Sequence, residues 1–191
     1  MKQLIVFDLD GTLAESKRPI RDSMGEALAD LLNVAQVAVI SGGDWPQFEK
    51  QVAQRLPARA DASKLWLMPT TGTKLYRYDG GWRRIYAELF DDKQRRAILE
   101  AFDAALAATG FTPTEIWGER IEDRGSQITF SALGQEAPLD AKEKWDPDFA
   151  KRKIIRSDLA GRLPGLSINM GGALRPSTSP RASIKPMVLK N

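Results

Sequence analysis

Leu4-Ile5-Val6-Phe7 is an uninterrupted apolar run that ends abruptly in Asp8-Leu9-Asp10-Gly11-Thr12. A run this short, stopped by turn residues, fits a strand buried on both faces, as strands of parallel sheets are. A second such run, residues 37–40, closes in Ser41-Gly42-Gly43. Between the two, Met24, Leu28, Leu31 and Leu32 share one face of a helix. Asp44 then caps a helix predicted to run through Leu56, with Pro46 in its first turn. This β–α–β–α order predicts a parallel α/β sheet with right-handed crossovers.

The pattern changes further on. Residues 64–68 read as a third core strand, and 73–78 with 82–86 flank Asp79-Gly80-Gly81, a hairpin signal. Residues 91–108 form an amphipathic helix with Ile98, Phe102, Ala105 and Leu106 on one face. Residues 115–122 and 126–132 read as strands around Arg124-Gly125, followed by a helix from about 146 to 163 and a strand at 166–170. That α+β order places a second small domain from about residue 88. Trp45, Trp66, Trp82, Trp117 and Trp145 are read as packing residues, since aromatics dominate buried area.

Composition narrows the chemistry. With no Cys and no His, the chain has no thiol nucleophile, no zinc–thiolate site, no Ser–His–Asp triad and no imidazole acid or base. Carboxylates, hydroxyls, Lys, Arg and backbone dipoles remain, and they suit a hard cation such as Mg²⁺. The net charge of +3 comes from scattered basic runs interleaved with acids, so nucleic-acid binding is not expected. No apolar stretch approaches a membrane span and the start is no signal peptide, so a soluble, cytoplasmic protein is expected.

Asp8 and Asp10 stand at the carboxyl end of the first strand, where ligands bind in open α/β sheets. If the strand continues through Asp10, both carboxylates share a face and one cleft, where they can hold a divalent cation. Ser41, Gly42 and Gly43 end the second strand as a hydroxyl and freed amides, an anion cradle. Together these features describe phosphoryl transfer. One carboxylate attacks the phosphoryl group, and a second protonates the leaving oxygen.

Asp8-Leu9-Asp10-Gly11-Thr12-Leu13 resembles the first motif of the haloacid dehalogenase (HAD) superfamily, and Ser41 falls where its second motif supplies a hydroxyl. Residues 122–134, Glu-Asp-Arg-Gly-Ser-Gln-Ile-Thr-Phe-Ser-Ala-Leu-Gly, resemble the cap segment of the alpha-phosphomannomutase branch, as does Ser167-Ile168-Asn169-Met170-Gly171-Gly172. The resemblance implies an α/β fold with an incomplete HAD-like, Rossmann-type core over residues 1–87 and a small α+β cap over 88–173. Residues 174–191 are then an irregular tail. It also implies Asp8 as nucleophile, Asp10 as acid/base, and Mg²⁺ held by Asp8 and the Asp10 carbonyl. Ser41, Gly42 and Gly43 would bind phosphate, and Arg124 and Arg120 would grip the distal phosphate of the substrate. The competing reading of these arginines is ion pairing with Glu119, Glu122 and Asp123.

Gln135 departs from the family pattern, standing where the mutases carry a further phosphate-binding Arg. The implied activity is Mg²⁺-dependent phosphotransfer on hexose phosphates, phosphomannomutase-like, with a mobile cap and room for a homodimer through it. The alternatives are a sugar-phosphate phosphatase and a truncated remnant that at most binds phosphorylated sugars.

The family's later motifs, a Lys and further acidic residues, are absent from residues 174–191, which hold no acid. Codons read from the third base of Arg175 permit the string S-I-D-V-T-P-G-I-D-K-A-Y-G, which a member of this branch should carry there. The tail therefore reads as an out-of-frame version of the ordinary gene. On that reading the cap sheet lacks its last strand and keeps an open edge, and low stability and little turnover are expected.

Overall fold

In the computed structural model, which describes residues 4–15, 17–170 and 186–190, the two apolar runs form β1 (Leu4–Asp8) and β2 (Gln36–Ile40). They pair in parallel across α1 (Asp22–Val34), with Asp8 opposite Ile40. β3 (Leu65–Met68) adds parallel to β2, and β4 (Lys74–Tyr78) and β5 (Trp82–Ala87) follow as an antiparallel hairpin, in the order β1-β2-β3-β4-β5. Leu28 and Leu32 of α1 pack with Val37, Val39, Leu65 and Leu67 to make the core of this unit. The Asp44-capped helix, α2 (Trp45–Gln51), is shorter than expected and passes into a 3-10 turn at Ala53–Arg55.

One expectation fails at β1. The strand is an edge of its sheet, and Leu4 and Val6 are 49% and 57% exposed. Its apolar run predicts burial on both faces, but burial needs a layer on each. Among the described residues nothing covers the face that Leu4 and Val6 present.

The chain divides by contacts into Met1–Glu88 and Leu89–Asn191. In the second unit α3 (Asp92–Thr109) begins with a reciprocal capping box between Asp91 and Gln94 and ends at Gly110 in the left-handed conformation. Its buried face, Ile98, Phe102, Ala105 and Leu106, packs on β6 (Ile121–Asp123) and β7 (Ile128–Ser131) together with Ile155 and Leu159 of α5 (Ala150–Arg162). Residues 115–120, predicted as strand, are irregular because Gly118 turns left-handed and the segment's bonds go to residues 131–136 instead.

The helix predicted from 146 starts at Ala150. Asp146 turns its carboxylate onto the backbone amides of Lys151 and Arg152, and Phe149 sits at φ +63°. A further helix, α4 (Leu139–Trp145), precedes it.

The tail is also corrected. Residues 186–190, expected to be irregular, form β9 (Pro186–Lys190), which lies parallel to both β7 and β8 (Ser167–Met170) in the order β6-β7-β9-β8. The expected open edge after the cap strands is therefore filled between β7 and β8. Backbone pairing needs no particular side chain, so a segment without strand patterning can still enter a ladder. Gly171, Gly172 and the rest of the expected tail, residues 174–185 and 191, lie outside the described residues. No helix among the described residues is long and apolar enough to cross a membrane.

Candidate active site

β1 ends at Asp8, so the strand does not carry Asp10 as the shared-face expectation required. A tight turn does so instead. Leu13 and Ala14 donate their amides to Leu9 O, both at 3.0 Å, and Gly11, at φ +82°, donates to Ala14 O at 2.7 Å. Leu9 and Leu13 are buried by this turn, while Asp10 faces the exit of β2. Asp10 Oδ1 accepts the Lys17 amide at 2.9 Å, and Oδ2 accepts the Ser41 hydroxyl at 3.0 Å and Gln47 Nε2 at 3.4 Å. Asp8 is exposed, and among the described residues its carboxylate has no hydrogen bond or ion pair.

The Ser41-Gly42-Gly43 turn is held from below. Its Ser41 and Gly43 carbonyls accept the amides of Thr71 and Thr70, at 2.9 and 2.8 Å. A Cβ on Gly43 would lie 2.3 Å from Gln47 Oε1, so the bare glycine is what lets Gln47 reach toward Asp10. Around Gly42 the space is open. Asp44 caps α2 by accepting the Trp45 amide and also accepts Lys74 Nζ, both at 2.7 Å.

Arg120 and Arg124 belong to the second unit, and the structure does not bring them together. Arg120 stands 5.0 Å over the Phe130 ring, which itself stacks on Phe102 of α3. It therefore lies on the helix-packed face of the sheet. Among the described residues its Nε and Nη2 are buried without a hydrogen-bond partner, and burial holds the guanidinium below the usual arginine range, partly offset by Asp103. Arg124 forks onto Glu122, with Nε and Nη2 each 2.9 Å from a carboxylate oxygen. Glu122 pairs in register with Thr129, one residue out of phase with Phe130, and so presents the opposite face.

The chain is 24% identical over 181 residues to a phosphomannomutase of Schizosaccharomyces pombe, covering 91% of this chain and 68% of that protein. It is 24% identical to a phosphomannomutase of Encephalitozoon cuniculi, covering 75% of this chain and 54% of that one. In fold it is similar to the IMP-nucleotidase of Plasmodium falciparum, with a TM-score of 0.61 at 13% identity over 86% of this chain and 43% of that one. A haloacid dehalogenase-like hydrolase from Bacteroides thetaiotaomicron gives a TM-score of 0.51 at 17% identity, over 86% of this chain and 65% of that one. In sequence the chain is thus similar to phosphomannomutases, and in fold to HAD-like hydrolases. No family model matches it. It spans about two thirds of the first of these phosphomannomutases and about half of the second.

With no His and no Cys in the chain, the side-chain groups at the site that could ligate a metal are oxygens. Among the described residues no group of three acidic, His or Cys side chains gathers to hold a metal. The exposed Asp8 carboxylate is a donor of the kind Mg²⁺ takes, since that ion uses one or two carboxylates and completes its shell with water and substrate phosphate.

Two members of the constellation escaped sequence reasoning. Gln47 had a usable signal, since Asp44-Trp45-Pro46-Gln47 has the spacing of a capping box, although the amide is used on Asp10 instead. Lys17 acts through its main-chain amide, which no residue type announces.

Proposed function

We propose that this chain carries out phosphoryl transfer from a hexose phosphate, with Asp8 as nucleophile and Asp10 as acid/base. The observation that carries the reading is the asymmetry of the two carboxylates. Asp8 is exposed and, among the described residues, unengaged, as a nucleophile must be, while Asp10 is aimed by three donors at the exit of β2.

A carboxylate oxygen of Asp8 attacks phosphorus. The bond from phosphorus to the sugar oxygen breaks, and the Asp10 carboxyl gives its proton to that leaving oxygen. An aspartyl-phosphate and a free sugar hydroxyl result. An acceptor hydroxyl then gives its proton to the Asp10 carboxylate and attacks phosphorus, and the bond to Asp8 breaks. With water as acceptor the product is inorganic phosphate, and with a sugar hydroxyl it is a sugar phosphate. The Asp8 carboxylate and the Asp10 carbonyl are the groups that would hold Mg²⁺, which when bound neutralises the phosphate oxygens facing Asp8.

Gln135 favours water as the acceptor. By the family resemblance it stands where the mutases carry a phosphate-binding Arg, and its amide Nε2 is buried without a partner among the described residues. A neutral donor holds a phosphate dianion less firmly than a guanidinium fork.

The test is incubation of the chain with mannose 6-phosphate, Mg²⁺ and a hexose bisphosphate, following both free phosphate and the isomer. Slow release of free phosphate is expected, in keeping with the missing later motifs, with Asp8→Asn lowering it by roughly 10³-fold or more. Release that survives Asp8→Asn would refute the nucleophile. Accumulation of the isomer would replace the phosphatase with a mutase.

A further inference from the structure

The second unit carries a cavity of about 330 Å³ that the chemistry above leaves unused. Trp117, Trp145, Leu133 and Pro113 line it with aromatic and apolar surface, and Lys144 and Lys151 contribute from α4 and α5. An apolar cleft of this size with a few polar groups converging on it is the usual form of a small-molecule site.

Two devices hold its walls. Trp117 donates its amide to Leu133 O at 2.8 Å and its carbonyl accepts the Glu136 amide at 3.1 Å. A Cβ on Gly134 would lie 1.9 Å from Trp117 O, so the two segments come this close only because a glycine stands there, at φ +89°. On the helical side, Asp146 directly follows Trp145, and its Oδ1 accepts the Lys151 amide at 2.9 Å. Asp146 is buried, and its Oδ2 accepts Arg152 Nε at 2.7 Å. This buried pair thus keeps Trp145 beside Lys151, whose ammonium lies 4.7 Å from the centre of the Trp145 ring.

The charges decide what can enter. Among the described residues no carboxylate pairs with the Lys151 ammonium. Lys144 meets Asp140 at 3.7 Å with both side chains largely exposed, a pair too weak to cancel its charge. Among the described residues Glu115 is the one acid of the lining, so the two lysines leave a positive excess that suits a monoanion and disfavours a dianion. Thr114 and Glu115 offer too few acceptors for the hydroxyls of a hexose, which would lie unpaired against apolar walls. The two indoles instead present flat surface to another ring.

We propose that this cavity binds a small aromatic carboxylate, its ring against the Trp117 and Trp145 indoles and its charge on Lys151 and Lys144. The site is independent of the phosphoryl-transfer chemistry, because none of its lining belongs to the unit that carries Asp8 and Asp10.

The test is a titration of the full ¹⁵N-labelled chain with 2-naphthoate, following the five tryptophan indole N–H resonances, with Trp117→Phe and Trp145→Phe used to assign the two of interest. Those two shift and saturate together in the low millimolar range, while the other three stay in place. 2-Naphthylmethanol, the same ring without the charge, needs about tenfold more ligand for the same shift. Lys151→Met weakens naphthoate about tenfold but leaves the alcohol within about threefold, whereas Lys151→Arg keeps naphthoate within about threefold. A lysine that merely propped the wall would weaken both ligands alike. The proposal is overturned if neither indole responds, if all five shift alike, or if the alcohol binds as well as the carboxylate. It is equally overturned if Lys151→Met binds naphthoate as the unaltered chain does. Mannose 6-phosphate saturating the same two resonances at lower concentration than naphthoate would also overturn it, and would put a sugar phosphate in the cavity instead.

Discussion

The Ser41 hydroxyl donates to Asp10 Oδ2 at 3.0 Å and so joins the exits of β1 and β2 across 31 residues of sequence. The bond fixes which way the Asp10 carboxyl faces, and it couples the proposed acid/base group to the turn that ends the second strand. Gln47 and the Lys17 amide complete the grip, so no single donor holds the group alone.

Ser41→Ala removes the shortest side-chain tether on Asp10. A hydrogen bond to a charged group contributes about 1.5–3 kcal/mol, so kcat for phosphate release should fall roughly 10- to 100-fold, with KM changing less. Steady-state kinetics on mannose 6-phosphate checks this. An unchanged kcat would mean that Gln47 and the Lys17 amide suffice.

Asp146 and Arg152 form an ion pair in which both residues are almost fully buried, with Arg152 Nε 2.7 Å from Asp146 Oδ2 and the guanidinium stacked on Phe149. Asp146→Ala takes the carboxylate away from a buried guanidinium and also leaves two backbone amides at the start of α5 without their acceptor. The expected loss is about 3–5 kcal/mol of stability, read from urea melts. A melt within experimental scatter of the parent would show that the pair is incidental.

The Tyr86 hydroxyl donates to Gly72 O at 2.8 Å and helps to hold the left-handed turn at Thr70–Gly72. Burial pushes its pKa up, and Glu88 adds to the rise. A tyrosine whose folded pKa lies above the unfolded one binds more protons when folded. Its stabilisation is therefore full below about pH 10 and fades as pH climbs through the folded pKa. Tyr86→Phe should cost about 1 kcal/mol at pH 8, and the gap between the two chains should narrow above pH 10. Thermal melts across pH 8–11 test this, and parallel curves would exclude the contribution.

Much of this was legible in the residues themselves. The two short apolar runs, the carboxylates behind the first, the Ser-Gly-Gly exit of the second and the capped helix α3 are local patterns, with pairing or burial on a single period. Where a signal is set within a few residues, chain periodicity suffices to read it. The family resemblance rested on the same short segments, and sequence and fold comparisons agree with it.

The rest depended on what lies across the fold. The edge position of β1 depends on which strands are available to pair with it, and the Leu4 and Val6 exposures follow from that. The insertion of β9 between β7 and β8 uses backbone groups that carry no side-chain signature. Lys74 and Asp44 lie 30 residues apart, and their pairing is invisible until the hairpin folds back on the β2 exit. Sequence by itself determined which chemical groups this protein could use and which strand ends carry them. Tertiary structure alone decided how they are aimed, because the direction of a carboxylate or an amide is set by partners the chain meets only after it has folded.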